Sequence, residues 1–460
     1  MDKTKELGTQ RIGKLLLQYS LPAVIGMIVN AIYNVVDRIF IGQFAGEDAL
    51  AGLTIAFPVM MIIFAFSGLV GIGGAALLSI RLGERDERGA SQVFGNTLGL
   101  GIIVTGLTLI TLLLNLEPIL VAFGATPDIL GYADDYMRII LYGFIFQMIS
   151  FTLTNTVRTE GRPMLSMIAM LMSAFANIIL DYLFIGVFGW GVQGAAAATI
   201  LGQFAGLALL LTFYLRGKSS LRIRIRDFIP KVKLSLKILS IGFASCIATL
   251  GVSVSMIFLN RALTEYGGTA AITSMGAINS LYTLFIMPIM GMQQGIQPII
   301  GYNFGAKQID RVYKTLKLGL MVAIIFSGIV FALLQIFPYM FIHLFLDPAS
   351  PTVETAVAGL RIFVLMLPVL CVNLMGVAFF QSIARGASSM VFSLLRQIIF
   401  LIPAILILPQ FFGLTGVWMA TPVSDGLAVI VTGIALVYHY RKDKRAEMKN
   451  IVTKEEALEV

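Results

Sequence analysis

Three aspartates stand inside long apolar stretches of this sequence, where ionisable side chains are otherwise rare. Asp37 lies in YNVVDRIF, Asp181 in ANIILDYLF and Asp425 in PVSDGLAV. A charge inside a bilayer costs at least about 2.5–3.5 kcal/mol on insertion scales, so each one retained needs a partner or a task. Asn177 precedes Asp181 by one helical turn and shares its face, and Thr199 opens the next apolar run. Two carboxylates, an amide and a hydroxyl supply oxygen ligands for a hard monovalent cation such as Na+. Alternatively, the carboxylates form a repelling pair that shares a proton. Either arrangement can couple an ion to a conformational change. The competing account is local, with Asp37 paired to the adjacent Arg38 near the headgroups and Asp181 acting as an interfacial cap.

Asp425 is open to two readings: a midplane contact for a cationic substrate, with Asn34 and Gln203 as further polar candidates, or a structural hydrogen bond to a neighbouring helix. Arg396 falls near the start of its apolar run, where a long side chain reaches the headgroups. His343 and His439 are isolated, with no HExxH and no nucleophile elbow, so no catalytic site is expected. Cys246 and Cys371 sit in apolar runs and read as buried thiols, not as a disulfide or metal pair. No organic cofactor is expected.

The elements that position these residues follow from hydropathy. Of the 460 residues, 58% are apolar and 13% are charged, about half the charge content of a soluble domain. A helix needs about 20 apolar residues to cross ~30 Å of hydrocarbon. Runs long enough occur near 17–41, 50–78, 93–115, 133–156, 164–187, 194–215, 236–259, 270–300, 315–337, 358–383, 391–409 and 415–439. The expected fold is an all-α polytopic membrane protein with twelve transmembrane helices. The N-terminal segment has acidic residues and no small-residue cleavage site after its apolar run, so a removable signal peptide is not expected.

Lys and Arg concentrate in the N-terminal segment, RLGERDER (81–88), RTEGR (158–162), residues 216–237, Lys307 to Lys317, Arg385 and RKDKR (441–445). Loops on the other side such as QFAGEDA (43–49) and PQFFGLTG (409–416) carry none. The bias predicts cytoplasmic termini in a multi-pass protein of the cell (inner) membrane. It also accounts for the formal charge of +8 through orientation and anionic lipid, with no nucleic-acid motif beside it. The bilayer is therefore an expected partner and nucleic acid is not.

An offset of 222 residues lays GVQGAAAAT (191–199) on GLTGVWMAT (413–421), and Gly73 and Gly83 on Gly295 and Gly305. With a further gap RTEGRPM (158–164) falls on ARGASSM (384–390). Six spans per half put both halves in one orientation, a parallel repeat of the kind transporters use. The expected parts are an N-terminal lobe 1–217, a basic linker 218–235, a C-terminal lobe 236–445 and a tail 446–460. By depth, Asp37 and Asp181 both fall in the outer half of their helices, where Asn177 and Thr199 can join them. The 22 Met and 32 Phe residues line an adaptable cavity or face lipid. Prolines such as Pro22, Pro58, Pro288 and Pro298 either bend helices or are merely tolerated.

YNVVDRIFIGQFAGEDALAG, the paired glycines ending in LGERDERGA, RTEGRPM and NIILDYLFIG with GVQGAAAAT resemble the multidrug and toxic compound extrusion (MATE) family, over the whole chain. The resemblance implies two six-helix bundles around a V-shaped cavity and export of amphipathic, often cationic compounds in exchange for Na+ or H+. It implies a cation site at Asp37, Asn177, Asp181 and Thr199, small-molecule drugs or toxins as substrates, and function as a monomer. Some branches place acidic coupling residues in the C-terminal lobe, yet 236–259 and 358–383 contain no Asp or Glu. The wider superfamily also includes exporters of lipid-linked saccharides. Those would favour a strongly basic cavity, whereas intramembrane basic residues are scarce here.

Overall fold

The computed structural model describes residues 3–221 and 224–456; residues 1–2, 222–223 of the expected linker and 457–460 of the expected tail lie outside the described residues. Those described form helices and turns, with no strand. In the first half the apolar helices are α1 (Ile12–Ala45), α2 (Asp48–Gly83), α3 (Glu87–Leu114), α4 (Pro127–Thr159), α5 (Pro163–Val187) and α6 (Gly191–Leu215). In the second they are α7 (232–267), α8 (268–305), α9 (Ile309–Ile336), α10 (Thr352–Ser382), α11 (386–412) and α12 (414–445). Gly268 and Gly413 break two long helical stretches at φ of 59° and 55°, a left-handed geometry that glycine adopts without a Cβ clash. The helix α10 bends by 52° between Phe363 and Leu367.

Each of the twelve expected runs falls within one of these helices to within a residue. Several helices exceed what the bilayer requires: the 36 residues of α2 span about 54 Å against ~30 Å of hydrocarbon. The helices alternate, so the Lys- and Arg-rich turns share one end of the molecule, called here the basic end. Arg261, near the close of α7, is a basic residue at the far end.

The repeat is written in the turns. Residues with positive φ recur at the 222-residue offset: Gly46 with Gly268, Arg85 with Lys307, and Gly191 with Gly413. Gly161 pairs with Ala384, and the helices that follow begin at Pro163 and Gly386, so here the offset is 223. RTEGRPM therefore lies opposite residues 381–387. The expected match to ARGASSM is displaced because the left-handed turn, not residue identity, fixes the register.

One apolar cluster fills the first bundle, from Ile41 and Ala49 through Phe94, Tyr136 and Phe144 to Leu210. Two others fill the second, around Ile278, Leu360 and Trp418, and around Ile300, Phe379 and Phe380. The bundles meet through glycines. A methyl at Gly83 would lie 2.8 Å from the Tyr302 carbonyl carbon and 3.0 Å from the Ala306 nitrogen. One at Gly305 would lie 2.9 Å from the Ile80 carbonyl carbon and 3.1 Å from the Glu84 nitrogen. These contacts are reciprocal under the repeat, since 80, 83 and 84 map onto 302, 305 and 306. Nearer mid-helix, Gly73 abuts Ile238 and Gly242, while Gly295 abuts Ser20. All of these crossings lie in the basic-end half.

The N-terminal segment covers the same seam. Leu7 is fully buried with Leu15, Tyr19, Ile299 and Tyr302. The Leu7 carbonyl accepts hydrogen bonds from Asn303 Nδ2 and an Arg311 guanidinium nitrogen, both at 3.0 Å. Arg158, also buried, donates across the lobes to Gln294 Oε1 at 2.8 Å. The linker is held to the first bundle by a bidentate pair, Arg88 to Asp227, with both distances 2.7 Å.

Candidate functional site: a carboxylate pair in the first bundle

Close packing of α1 on α5 and of α5 on α6 positions the candidate residues. Gly26 faces Met170, and Gly202 lets the α6 backbone approach Ser173 and Asn177. After each carboxylate the helix widens into a π-helical turn, Ile41–Ala45 one turn beyond Asp37 and Tyr182–Val187 directly after Asp181. Such turns recur at functional sites, because one inserted residue frees backbone groups and re-aims side chains. The two turns face one another: Phe40 meets Tyr182 edge-on with centroids 6.5 Å apart, and Phe44 approaches Gly186.

Asp37, Asn177, Asp181 and Thr199 are all buried, Asp181 completely. The two carboxylates lie close enough to feel one another's charge. Five polar atoms here make no hydrogen bond among the described residues: Asp37 Oδ1, both side-chain polar atoms of Asn177 and both oxygens of Asp181. Buried polar atoms are nearly always satisfied, and four of these five are oxygen acceptors on three neighbouring side chains, an arrangement that suits a cation or protons. No group of three or more His, Cys, Asp or Glu side chains gathers among the described residues. Among the described residues no ion pair joins Arg38 to Asp37, although the guanidinium lies within electrostatic reach of the carboxylate. As consecutive helical residues they point apart, and the Arg38 guanidinium lies over the Phe57 ring, 5.4 Å from its centroid.

Two site residues escaped the sequence reading. Tyr136 on α4 is buried, hydrogen-bonds Thr199, and lies within electrostatic reach of Asp37 and Asp181; Tyr33, one turn before Asp37, is also in reach of both. Tyr136 stands beside Asp134 and Asp135 at the very start of the expected run 133–156, where it reads as the end of a helix and not its interior. Because α4 begins at Pro127, Tyr136 lies about 13 Å inside its helix.

The remaining candidates divide between the lobes. Asn34 is exposed and donates to the Asn30 carbonyl at 2.7 Å. Gln203 is half-buried one turn after Thr199, so both stand near the carboxylate pair. Asp425 belongs to the other bundle, where it accepts from Arg396 Nε at 2.7 Å, and Arg396 also donates to the Tyr282 hydroxyl at 3.2 Å. Ser424 donates to the Arg396 carbonyl at 2.7 Å, and the pair sits at a third π-helical turn, Leu395–Phe400. The expectation that Arg396 reaches the headgroups is corrected. With α11 starting at Gly386, Arg396 is about 15 Å into the helix, too deep to find water that way.

Comparison with known proteins agrees with this geometry. The MatE family model matches residues 22–183 and 243–406, one segment in each bundle. The multidrug export protein MepA of Staphylococcus saprophyticus is 24% identical over 433 residues, covering 93% of this chain and 94% of that protein. MepA of Staphylococcus aureus strain MRSA252 is 26% identical over 434 residues, covering 93% and 94%. Among solved structures, MATE in complex with MaL6 superposes with a TM-score of 0.91 at 26% identity, covering 96% of this chain and 99% of that one. An outward-facing multidrug resistance MATE transporter of the MOP superfamily gives 0.90 at 27% identity, covering 96% and 98%. Matched in both halves and along nearly its full length, with twelve helices in two repeated bundles, the chain belongs to the MATE family of membrane transporters.

Proposed function

We propose that this protein is a secondary active multidrug exporter of the cell membrane, moving amphipathic, cationic compounds outward in exchange for Na+ or H+. The export reading rests on the relatives, and the coupling reading on the structure. One observation carries it: the unsatisfied oxygens of Asp37 and Asp181, set with Asn177, Thr199 and Tyr136 inside one bundle and away from the seam. The lobes, 1–217 and 236–445, alternate between opening at the far end, as the sealed basic end favours, and opening at the basic end. The basic end and both termini are cytoplasmic on the Lys and Arg bias.

A cation biases this equilibrium only by binding one conformation more tightly, and a tenfold preference corresponds to about 1.4 kcal/mol. Occupancy by one cation offsets one of the two negative charges of the carboxylate pair, relieves their repulsion and draws α1, α4, α5 and α6 together. Asn34 and Gln203 lie beside that site and are proposed to sense it from the substrate path. Asp425 can join substrate binding only by releasing Arg396.

The test is dye efflux from vesicles under separately imposed Na+ and H+ gradients, for the wild type, Asp37→Asn and Asp181→Asn. Each amide keeps the volume but removes charge and protonation, so gradient-driven export should collapse while substrate binding to purified protein persists. The double variant should be little worse than either single one, as for residues acting as a unit. Wild-type export by both variants at normal membrane levels would sink the coupling role. Transport of anionic lipid-linked saccharides without competition by ethidium-like cations would sink the substrate class.

A further inference from the structure

We propose that the groove between the basic-end halves of α1 and α5 is a binding site for one anionic phospholipid, with its phosphate held by Lys14 and Arg162. The groove begins in a cavity of about 260 Å³ lined by Gln18, Arg162, Met164, Leu165 and Ile168. Arg162 is fixed there by stacking over Phe213, its guanidinium carbon 5.1 Å from the ring centroid. Lys14 is exposed and lies one turn before Gln18 on the same face. Neither cation has a carboxylate within ion-pair distance among the described residues. Arg162 and the Gln18 amide thus meet in this cavity, with Lys14 one turn beyond Gln18, at the level where α5 enters the apolar layer.

Below this mouth the walls change character. Leu17, Leu21 and Ile25 form the exposed stripe of α1, and Met164, Ile168 and Met172 that of α5. Between them the floor closes where Gly26 meets Met170. Cations at one end and parallel apolar walls beneath match a phosphate with acyl chains attached, not a free anion, which would leave the walls unused. Basic pockets between transmembrane helices on this side of a membrane suit such headgroups.

The location gives the lipid a consequence. Leu16 of α1 packs against Ile289 and Ile296 of the second bundle, while Gly26 packs on α5 of the first. A lipid seated here grips one of the helices that touch both lobes.

The experiment is native mass spectrometry of the purified full chain, titrated with phosphatidylglycerol or phosphatidylcholine of equal chain length. Wild type should retain one phosphatidylglycerol most tightly. Lys14→Gln with Arg162→Gln should weaken it by about fivefold per cation removed, and Arg162→Lys should largely preserve it. Leu21→Ser with Ile168→Ser should weaken it as well. Arg441→Gln with Lys442→Gln removes the same charge from exposed positions at the end of α12 in the second bundle and should leave it bound. Equal loss in that control, equal retention of phosphatidylcholine, or displacement by inorganic phosphate with no effect of the apolar substitutions would each overturn the proposal.

Discussion

Replacing Gly83 by alanine tests whether the glycine seam holds the lobes together. The new methyl would stand 2.8 Å from the Tyr302 carbonyl carbon and nearer still to its oxygen. Relief of that overlap requires α2 and α8 to part by about 1 Å, and gaps of about 0.5–1 Å already forfeit a quarter to a half of each dispersion contact. Overpacking of this kind costs about 1–3 kcal/mol. Because the strain exists only when the basic end is sealed, it weights the lobe equilibrium, and about 2 kcal/mol moves the ratio by about 30-fold. Ser79, buried where α2 meets Gly301, is the reporter. In a chain with Cys246 and Cys371 replaced, Ser79→Cys should react slowly with an impermeant maleimide from the basic side, and Gly83→Ala should speed labelling by about 30-fold. Gly305→Ala opposes the same two backbones, so it should act alike, and the double variant should add little once the helices have parted. Gly106, with no atom within 4 Å of a Cβ placed there, is the control and should change nothing when made alanine. Labelling of Gly83→Ala at the wild-type rate, with unchanged transport, would refute the reasoning.

Tyr136→Phe removes the hydroxyl that bonds Thr199; loss of one hydrogen bond of about 0.5–1.5 kcal/mol should weaken coupling-ion affinity by about 2- to 10-fold, read as a shift in the half-saturating Na+ or H+ concentration, with expression unchanged. Arg396→Met and Asp425→Leu should each destabilise the purified protein by about 3–5 kcal/mol by stranding a buried charge, whereas the pair together should be near neutral, as chemical denaturation in detergent would measure. Additive losses in the double variant would show that the two groups do not act as a pair.

Hydropathy alone revealed the helices because apolar runs of about 20 residues are the length a spanning helix needs, about twice that of a spanning strand, and a helix satisfies its own backbone in lipid. The repeat was legible at Gly83 and Gly305 for a physical reason: positions that require backbone contact accept only glycine. Arg396 was misplaced because α11 opens with the small and polar residues Gly386, Ala387, Ser388 and Ser389, which carry little hydropathic signal. Asp37, Asn177, Asp181 and Thr199 could be grouped from depth, since topology sets how far along each helix a residue lies. The π-helical turns that follow Asp37 and Asp181 left no trace, because IGQFA and YLFIGV are as apolar as the α-helix before them.

The glycine seam has a kinetic consequence as well as an energetic one. Surfaces that interlock through long side chains must withdraw each knob from its hole before they separate, and every withdrawal passes through a strained rotamer. At Gly83 and Gly305 peptide planes lie against peptide planes, so nothing needs to be unthreaded. Attraction of that kind is strong at contact and nearly gone an ångström later. Under the proposed alternation of the lobes, the seam would behave less like a spring than like a magnetic catch, firm when shut and without restoring pull once open, and partly open arrangements would be short-lived.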